Sequence, residues 1–513
     1  AKVETYPLYE KNNFLPDFAD IPEKTAKVAK FMIISYPANP VCSVADDSFY
    51  EKAIAFAKKY NPDFHVCYNK GHVGYLDKPV IKDYSYFSFE SLPGVEWGYL
   101  DFPVSAKYMR NFGKECLGLT SRFHTEWGDF HAFRNEAAME YEVFSMLSHG
   151  CKCTIGDQMD YWGKLNKDMY QQIGRVYKSV EEKEPWCENA KPVSEIGVFT
   201  AEEFYATGVA GQLPGASEGV ARLLMEYGYQ FDFIDSTSDF GKYRLLILPD
   251  VIPVDEILGR KLSAYINAGG KLLASYQSGL DKDHQKFMIS ELAVKYLGDA
   301  PYSPDFIWPK EHLAKGLADA EHVMYDKGTL VEATDEAQFV QKVIPPVFNR
   351  TYEHFCSHLH SPSGRKEVYP GIVETENTAY FIHPIFTTYQ NWAPAWYKKI
   401  LRNELDRMLP NPLIQHNGPS TTQVTVLDQE QENRRIVHVL HYVPVKKCKN
   451  LEIVDDIIPL YNLKITMTEE REVEKIYTIP DKQEVPFVQD GKKLEFTLKE
   501  IKGHQMTAVC YKN

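Results

Sequence analysis

Short apolar runs alternate with amphipathic stretches over the first part of the chain. Residues 31–34, 64–68, 86–89, 117–120 and 151–155 read as strands, with helices expected over 47–59 and 135–148. Strand–helix–strand repetition of this kind predicts parallel β/α packing. Polar and aromatic residues gather just after these runs, where a (β/α) barrel places its chemistry.

A break falls near Glu184-Pro185-Trp186-Cys187, and a second alternating unit follows. Its strands are predicted at 196–199, 231–234, 245–248 and 271–275, its helices at 217–227 and 256–267. This is a doubly wound, flavodoxin-like pattern. It carries no G-x-G-x-x-G, no phosphate loop and no cysteine or G-x-S-x-G elbow after a strand, so a structural or oligomerising role is expected. Residues 300–420, rich in Pro, His and aromatics, read as irregular elaboration. From 421 the period becomes two, with runs at 423–427, 435–441, 464–468, 494–498 and 506–511 that predict a small antiparallel β-sandwich. The α/β chain is thus expected to fall into a partial (β/α) barrel over 1–190, a doubly wound domain with elaborations over 191–420, and a sandwich over 421–513.

Composition narrows the partners. A chain of 513 residues with 44% hydrophobic and 25% charged residues is that of a globular protein. No stretch approaches the ~20 continuous apolar residues of a membrane span. A net charge of −14 argues against nucleic acid or an anionic membrane and suits a neutral substrate. Nine cysteines, with only Cys151 and Cys153 close together, are expected to be free thiols rather than a zinc site. That leans toward a reducing compartment such as the cytoplasm.

The richest segment for chemistry is Thr120–Phe130, with Arg122, His124, Glu126, Trp127 and Asp129 in one loop after a strand. Sugar hydrolysis needs a carboxylic acid to protonate the leaving oxygen and a second carboxylate as nucleophile or base. It also needs aromatic faces for the C–H side of the ring. Glu90 stands at a predicted strand end and is the preferred single acid or base, with Glu96 and Trp97 close behind it. Asp157 and Gln158 end the next strand pattern and could hold sugar hydroxyls or tie down the rim. Glu140 and Glu142 are expected on a solvated helix face. His354, His358 and His360 lack the H-E-x-x-H order and read as a hydrogen-bonded loop rather than a metal site.

Several separated strings resemble one family. They are the T-S-R-F-H-x-x-W-G-D-F loop at 120–130, G-C-K-C-T-I-G-D-Q at 150–158, Glu184-Pro185-Trp186, F-N-R-T-Y-E-H-F-C-S-H at 348–358 and Y-F-I-H-P-I-F at 380–386. Together they resemble glycoside hydrolases with a β-galactosidase trimerisation domain, a group related to the family 151 α-L-fucosidases and family 42 β-galactosidases. The resemblance implies a (β/α)8 barrel, an amidotransferase-like trimerisation domain and a β-sandwich. It implies an oligosaccharide or glycoside substrate, no cofactor or metal, and a homo-oligomer, with a trimer as the specific expectation.

Barrels of this type take ~250 residues, so the first strands are expected to be missing from this chain. The stretch matching the fourth strand ends in Ser35-Tyr36 where a carboxylate is expected. The expected activity is an α-L-fucosidase-like glycosidase. In that sketch Glu90 or Glu126 is the proton donor, and Asp129, Asp157 or an absent carboxylate completes the pair. Arg122, His124, Trp127, Gln158 and Trp97 hold the sugar. The alternatives are a β-galactosidase and a non-catalytic carbohydrate-binding or assembly protein on a degenerate barrel.

Overall fold

Three strands, β1 (Phe87–Glu90), β2 (Cys116–Ser121) and β3 (Lys152–Gly156), form a parallel sheet in sequence order. Phe89 lies opposite Gly118, and Thr120 opposite Ile155. Helices Asp101–Met109 and Glu136–Ser148 connect them, and the second starts at Asn135, whose side chain accepts from Ala138 N. Both are buried along most of their length, as the crossover helices of a parallel sheet must be.

The structure is a computed structural model that describes residues 4–34, 36, 43–94, 97–205, 207 and 209–512. The chain divides into two compact units, one of residues 1–68 with 80–86, the other of residues 69–79 with 87–513. In the first unit, helix Asp47–Tyr60 starts at an Asp46 cap and packs Phe49 and Phe56 against Phe18. The strands expected at 31–34 and 64–68 do not form. Phe31 and Ile33 are 86% and 82% exposed, and no neighbouring strand pairs with either run. An apolar run without a ladder partner is not a strand, whatever its propensity. Ser35 and Glu96 lie outside the described residues.

In the second unit a nine-stranded sheet follows the three-stranded one. It contains β4 (Ile196–Phe199), β5 (Phe231–Ile234), β6 (Leu245–Leu248), β7 (Lys271–Ser275), β8 (Asp305–Ile307), β9 (His322–Met324), β10 (Phe339–Ile344), β11 (Pro370–Glu374) and β12 (Thr378–Phe381). The order is β9-β8-β10-β11-β12-β7-β6-β4-β5. The five strands β5-β4-β6-β7-β12 are parallel and have the 2-1-3-4-5 order of flavodoxin-like folds. Strands β4 to β6 are buried at every position, because helices cover both faces of such a sheet.

Residues 300–420 depart from the irregular segment expected. Strands β8 to β11 extend the sheet in antiparallel fashion beyond β12, and helices Ile385–Trp392 and Ala395–Met408 pack nearby. These strands are short and their faces unequal, which hid their period. The last part folds as two facing antiparallel sheets. One contains Thr422–Gln429, Arg434–His441 and Gly503–Tyr511, the other Leu460–Thr468 and Lys493–Ile501. Inward residues such as Val437, Ile465, Leu494 and Val509 close the core between them. Lys191–Pro192 pairs with Leu427 and Asp428 as an extra edge strand of this sandwich.

Candidate active-site rim

The carboxyl ends of β1, β2 and β3 carry the candidate chemistry. Parallel strands stand ~4.8 Å apart, so the ends of β1 and β3 are about 10 Å from each other across β2. Glu90 is the last residue of β1, and its N–H donates to Gly71 O at 2.9 Å. Its side chain is half-buried, and among the described residues neither a hydrogen-bond donor nor a cation pairs with its carboxyl group. Burial alone pushes the Glu90 carboxyl above the usual range.

The loop after β2 is built from beneath. Arg134 and Glu142 form a fully buried ion pair, with Thr120 Oγ1 donating to the same carboxylate. Arg134 Nε also donates to Phe123 O at 2.8 Å, so the pair clamps both ends of the loop. Glu142 is therefore not on a solvated face, as its helical position suggested, because Arg134 folds back over it. Glu140 is half-buried.

Arg122 and Asp157 are joined, with Arg122 Nε donating to Asp157 Oδ1 at 2.6 Å. Arg122 is 5% exposed and lies over the Phe123 ring. The two therefore lock the β2 and β3 loops together instead of standing free. Trp127 is 46% exposed and its indole edge packs against β3: a side chain at Gly156 would meet it at 2.7 Å. Only glycine leaves room there. In the same way, the Gly94 turn passes so close to Thr125 O that a Cβ would stand 2.2 Å away, joining the β1 and β2 loops.

Asp129 is half-buried and accepts from Thr125 Oγ1 at 2.7 Å. Glu126 and Gln158 are exposed, His124 and Trp97 half-buried. Trp97 packs against Gly71, beside the segment that pairs with Glu90. Exposed Phe130, Phe133, Tyr161 and Trp162 add apolar surface to the loops after β2 and β3.

Two clusters escaped the sequence. His72 is 3% exposed, with Nδ1 2.8 Å from Ser105 Oγ and Nε2 3.0 Å from Glu202 Oε1. Burial works against its protonation, but Glu202, Asp101 and Asp77 outweigh it and raise the imidazole pKa. No motif links positions 72 and 202. The other cluster, His312 with Glu374 and Glu404, lies in the second domain. Among the described residues it is the sole His/Cys/Asp/Glu group with ligand atoms close enough to share a metal ion; His354, His358 and His360 are not so gathered.

The model of the β-galactosidase trimerisation domain matches residues 222–296. Among solved structures, an α-L-fucosidase isoenzyme 2 from Paenibacillus thiaminolyticus is 32% identical, covers 91% of this chain and 71% of its own, and superposes with a TM-score of 0.86. The chain belongs to the glycoside hydrolases with a β-galactosidase trimerisation domain. The fold of this glycoside hydrolase also resembles a β-galactosidase from Bacillus circulans sp. alkalophilus, with a TM-score of 0.63 at 11% identity over 90% of this chain and 66% of that one. A transaminase, BacF from Bacillus subtilis strain 168, is 51% identical over 214 residues, 39% of this chain and 48% of its own length. The chain thus spans about half the length of that curated relative or less of the others it matches. Such a partial stretch does not assign a family, whereas the fucosidase likeness runs through nearly the whole chain. No helix among the described residues is long and apolar enough to cross a membrane.

Proposed function

We propose that this chain supplies the β1–β3 rim of a glycosidase that releases a terminal sugar, with α-L-fucosides as its substrate class. The observation that carries the reading is Glu90, a strand-end carboxyl raised by burial and, among the described residues, held by no partner. A proton donor at neutral pH needs such a carboxylic acid. Asp129 is the second carboxylate, because Asp157 is already paired with Arg122 and Glu126 stands in solvent. Trp127 offers the apolar platform, and His124, Gln158 and Trp97 flank it as hydroxyl and ring contacts. Arg122 acts through Asp157, by fixing the loop. The fucoside preference is supported by the name of the 32% identical structure, and β-galactosides are the competing substrates.

The degenerate reading, sugar binding without hydrolysis, is favoured by one observation. Asp129 already accepts from Thr125, Asp157 is paired with Arg122, and Glu126 stands in solvent, so no second partner-free carboxylate shares the partial burial of Glu90 among the candidate residues. Steady-state assay with aryl α-L-fucoside and aryl β-galactoside separates the readings. Turnover of the fucoside, lost in Glu90→Gln and Asp129→Asn, is expected. Saturable fucose binding with turnover of neither glycoside would replace the proposal with the degenerate one. A trimer is the proposed assembly, given the domain matched at 222–296; sedimentation of a monomer at micromolar concentration would refute it.

A further inference from the structure

His312, Glu374 and Glu404 come from three separate segments of the second domain. His312 lies in the 3-10 turn Glu311–Ala314, Glu374 ends β11, and Glu404 sits in the helix Ala395–Met408. His312 Nε2 is 3.1 Å from Glu404 Oε2 and 3.2 Å from Glu374 Oε1, and the three ligand atoms all fall within 4.8 Å of one another. Nitrogen and oxygen ligands ~2.1 Å from a zinc-like ion, at octahedral or tetrahedral angles, stand about 3.0–3.4 Å apart. The two distances from His312 are those of adjacent ligands on one ion.

Apart from the carboxyl–carboxyl contact between Glu374 and Glu404, the hydrogen bonding around the cluster leaves one oxygen without a donor. The imidazole Nε2 carries at most one proton, and its hydrogen bond goes to Glu404. Glu374 is 3% exposed, and its Oε1, aimed at the same point, has no hydrogen-bond partner. A buried carboxylate oxygen left in this way is costly unless something positive meets it. Arg407 does not meet it, because the guanidinium takes the opposite oxygens. Its Nη2 donates to Glu404 Oε1 at 2.6 Å, and its Nε lies 3.2 Å from Glu374 Oε2. It turns Glu374 Oε1 and Glu404 Oε2 toward His312, as outer-shell partners do around metal ligands. The imidazole side chain is 29% exposed, which gives an ion a way in.

We propose that His312, Glu374 and Glu404 bind one divalent transition-metal ion of the zinc type, which fastens the 311–314 turn, β11 and the 395–408 helix together. One imidazole and two carboxylates suit a borderline ion better than a soft one. Water fills the remaining coordination positions. The site is built from the 311–314 turn, β11 and the 395–408 helix, none of which carries a residue of the proposed sugar chemistry. Its ion works as a clasp that binds the folded chain and not the unfolded one.

The test is calorimetric titration of Zn2+ into chelator-treated protein, with the melting temperature followed in parallel. Binding of about one ion per chain and a rise in Tm are expected. His312→Ala, at a half-exposed position, should weaken binding beyond the ~100-fold that outer-shell changes cost. Glu374→Gln should do the same, and both variants should lose the Tm rise. Substituted Co2+ should give visible bands of nitrogen and oxygen ligation. Failure of Zn2+ to bind, affinity unchanged within about twofold in His312→Ala, or a thiolate charge-transfer band from Co2+ would each overturn the site. Activity toward glycosides does not enter this readout, so it stands or falls apart from the proposed function.

Discussion

Glu90 and Glu142 belong to the same β/α layer, and their surroundings could hardly differ more. Glu142 is fully buried and held by Arg134 and Thr120. Glu90 is half-buried, and among the described residues nothing pairs with its carboxyl group; only its backbone N–H is held, by Gly71 O. Burial raises both carboxyls, but in Glu142 a cation and a hydroxyl work against it and tie the group to a loop. A carboxyl group raised by burial alone is ready to give up a proton. Residue type and strand–helix position do not separate the two roles; the partners do.

The sharpest way to break this comparison is to remove the proton from the rim. Glu90→Gln should lower kcat/KM by about 100–10,000-fold, the usual worth of a general acid. Substrates with good leaving groups should suffer least, and the melting temperature should hardly move. A loss confined to Tm would place Glu90 with Glu142 instead. The pH profile carries the same information. Raised by burial, Glu90 stays protonated above the usual carboxylate range, so the rate should fall only as pH climbs through that higher pKa. The Gln variant should lack that alkaline limb.

The reciprocal change is Arg134→Met. It leaves Glu142 buried without its cation and should cost about 3–5 kcal/mol of stability. Chemical denaturation would show it as a lower midpoint. The double variant Arg134→Met with Glu142→Leu should recover most of that loss, since apolar pairs replace buried ion pairs well. No recovery would mean that the pair fixes the loop rather than merely neutralising charge.

A smaller effect should follow acidification. His438 and His416 are held down to about 3 and about 4, in both cases by burial first. Their folded pKa values lie below the unfolded ~6.5, so the unfolded chain takes up protons that the folded chain refuses. Stability should therefore be fully present above pH ~6.5 and decline as pH falls toward those values. A Tm that stays flat from pH 7 to 5 would show that both imidazoles are protonated in the folded state. The smallest change expected is Glu126→Gln, within about twofold in kcat/KM, because its carboxylate faces solvent. A hundredfold loss there would move the acid from β1 to the β2 loop.

Strands β4 to β7 were legible because they are apolar runs between amphipathic helices. Leu245-Leu246-Ile247-Leu248 and the helix Glu256–Asn267 announce themselves, and their period survives any tertiary arrangement. The sandwich announces itself by alternation. Phe31-Met32-Ile33-Ile34 has the same apolar signature and forms no strand, since propensity cannot supply a neighbour. The loop 120–130 was legible as a concentration of chemical residue types, and the structure sorted them. Arg122 is buried against Asp157, Trp127 is open, and Glu126 is in solvent.

By itself, then, the order of apolar and polar residues determined four strands of the doubly wound sheet with their helices, and the sandwich, because each depends on periodicities of neighbouring residues; the fifth parallel strand and the strand order came from the structure. Tertiary structure alone decided which carboxylates are spent. Glu142 meets Arg134 across a loop, Asp157 meets Arg122 between neighbouring strand ends, and Glu404 meets His312 from a separate segment. A carboxyl group's charge state depends on what lies within a few ångströms, and sequence distance carries no record of that.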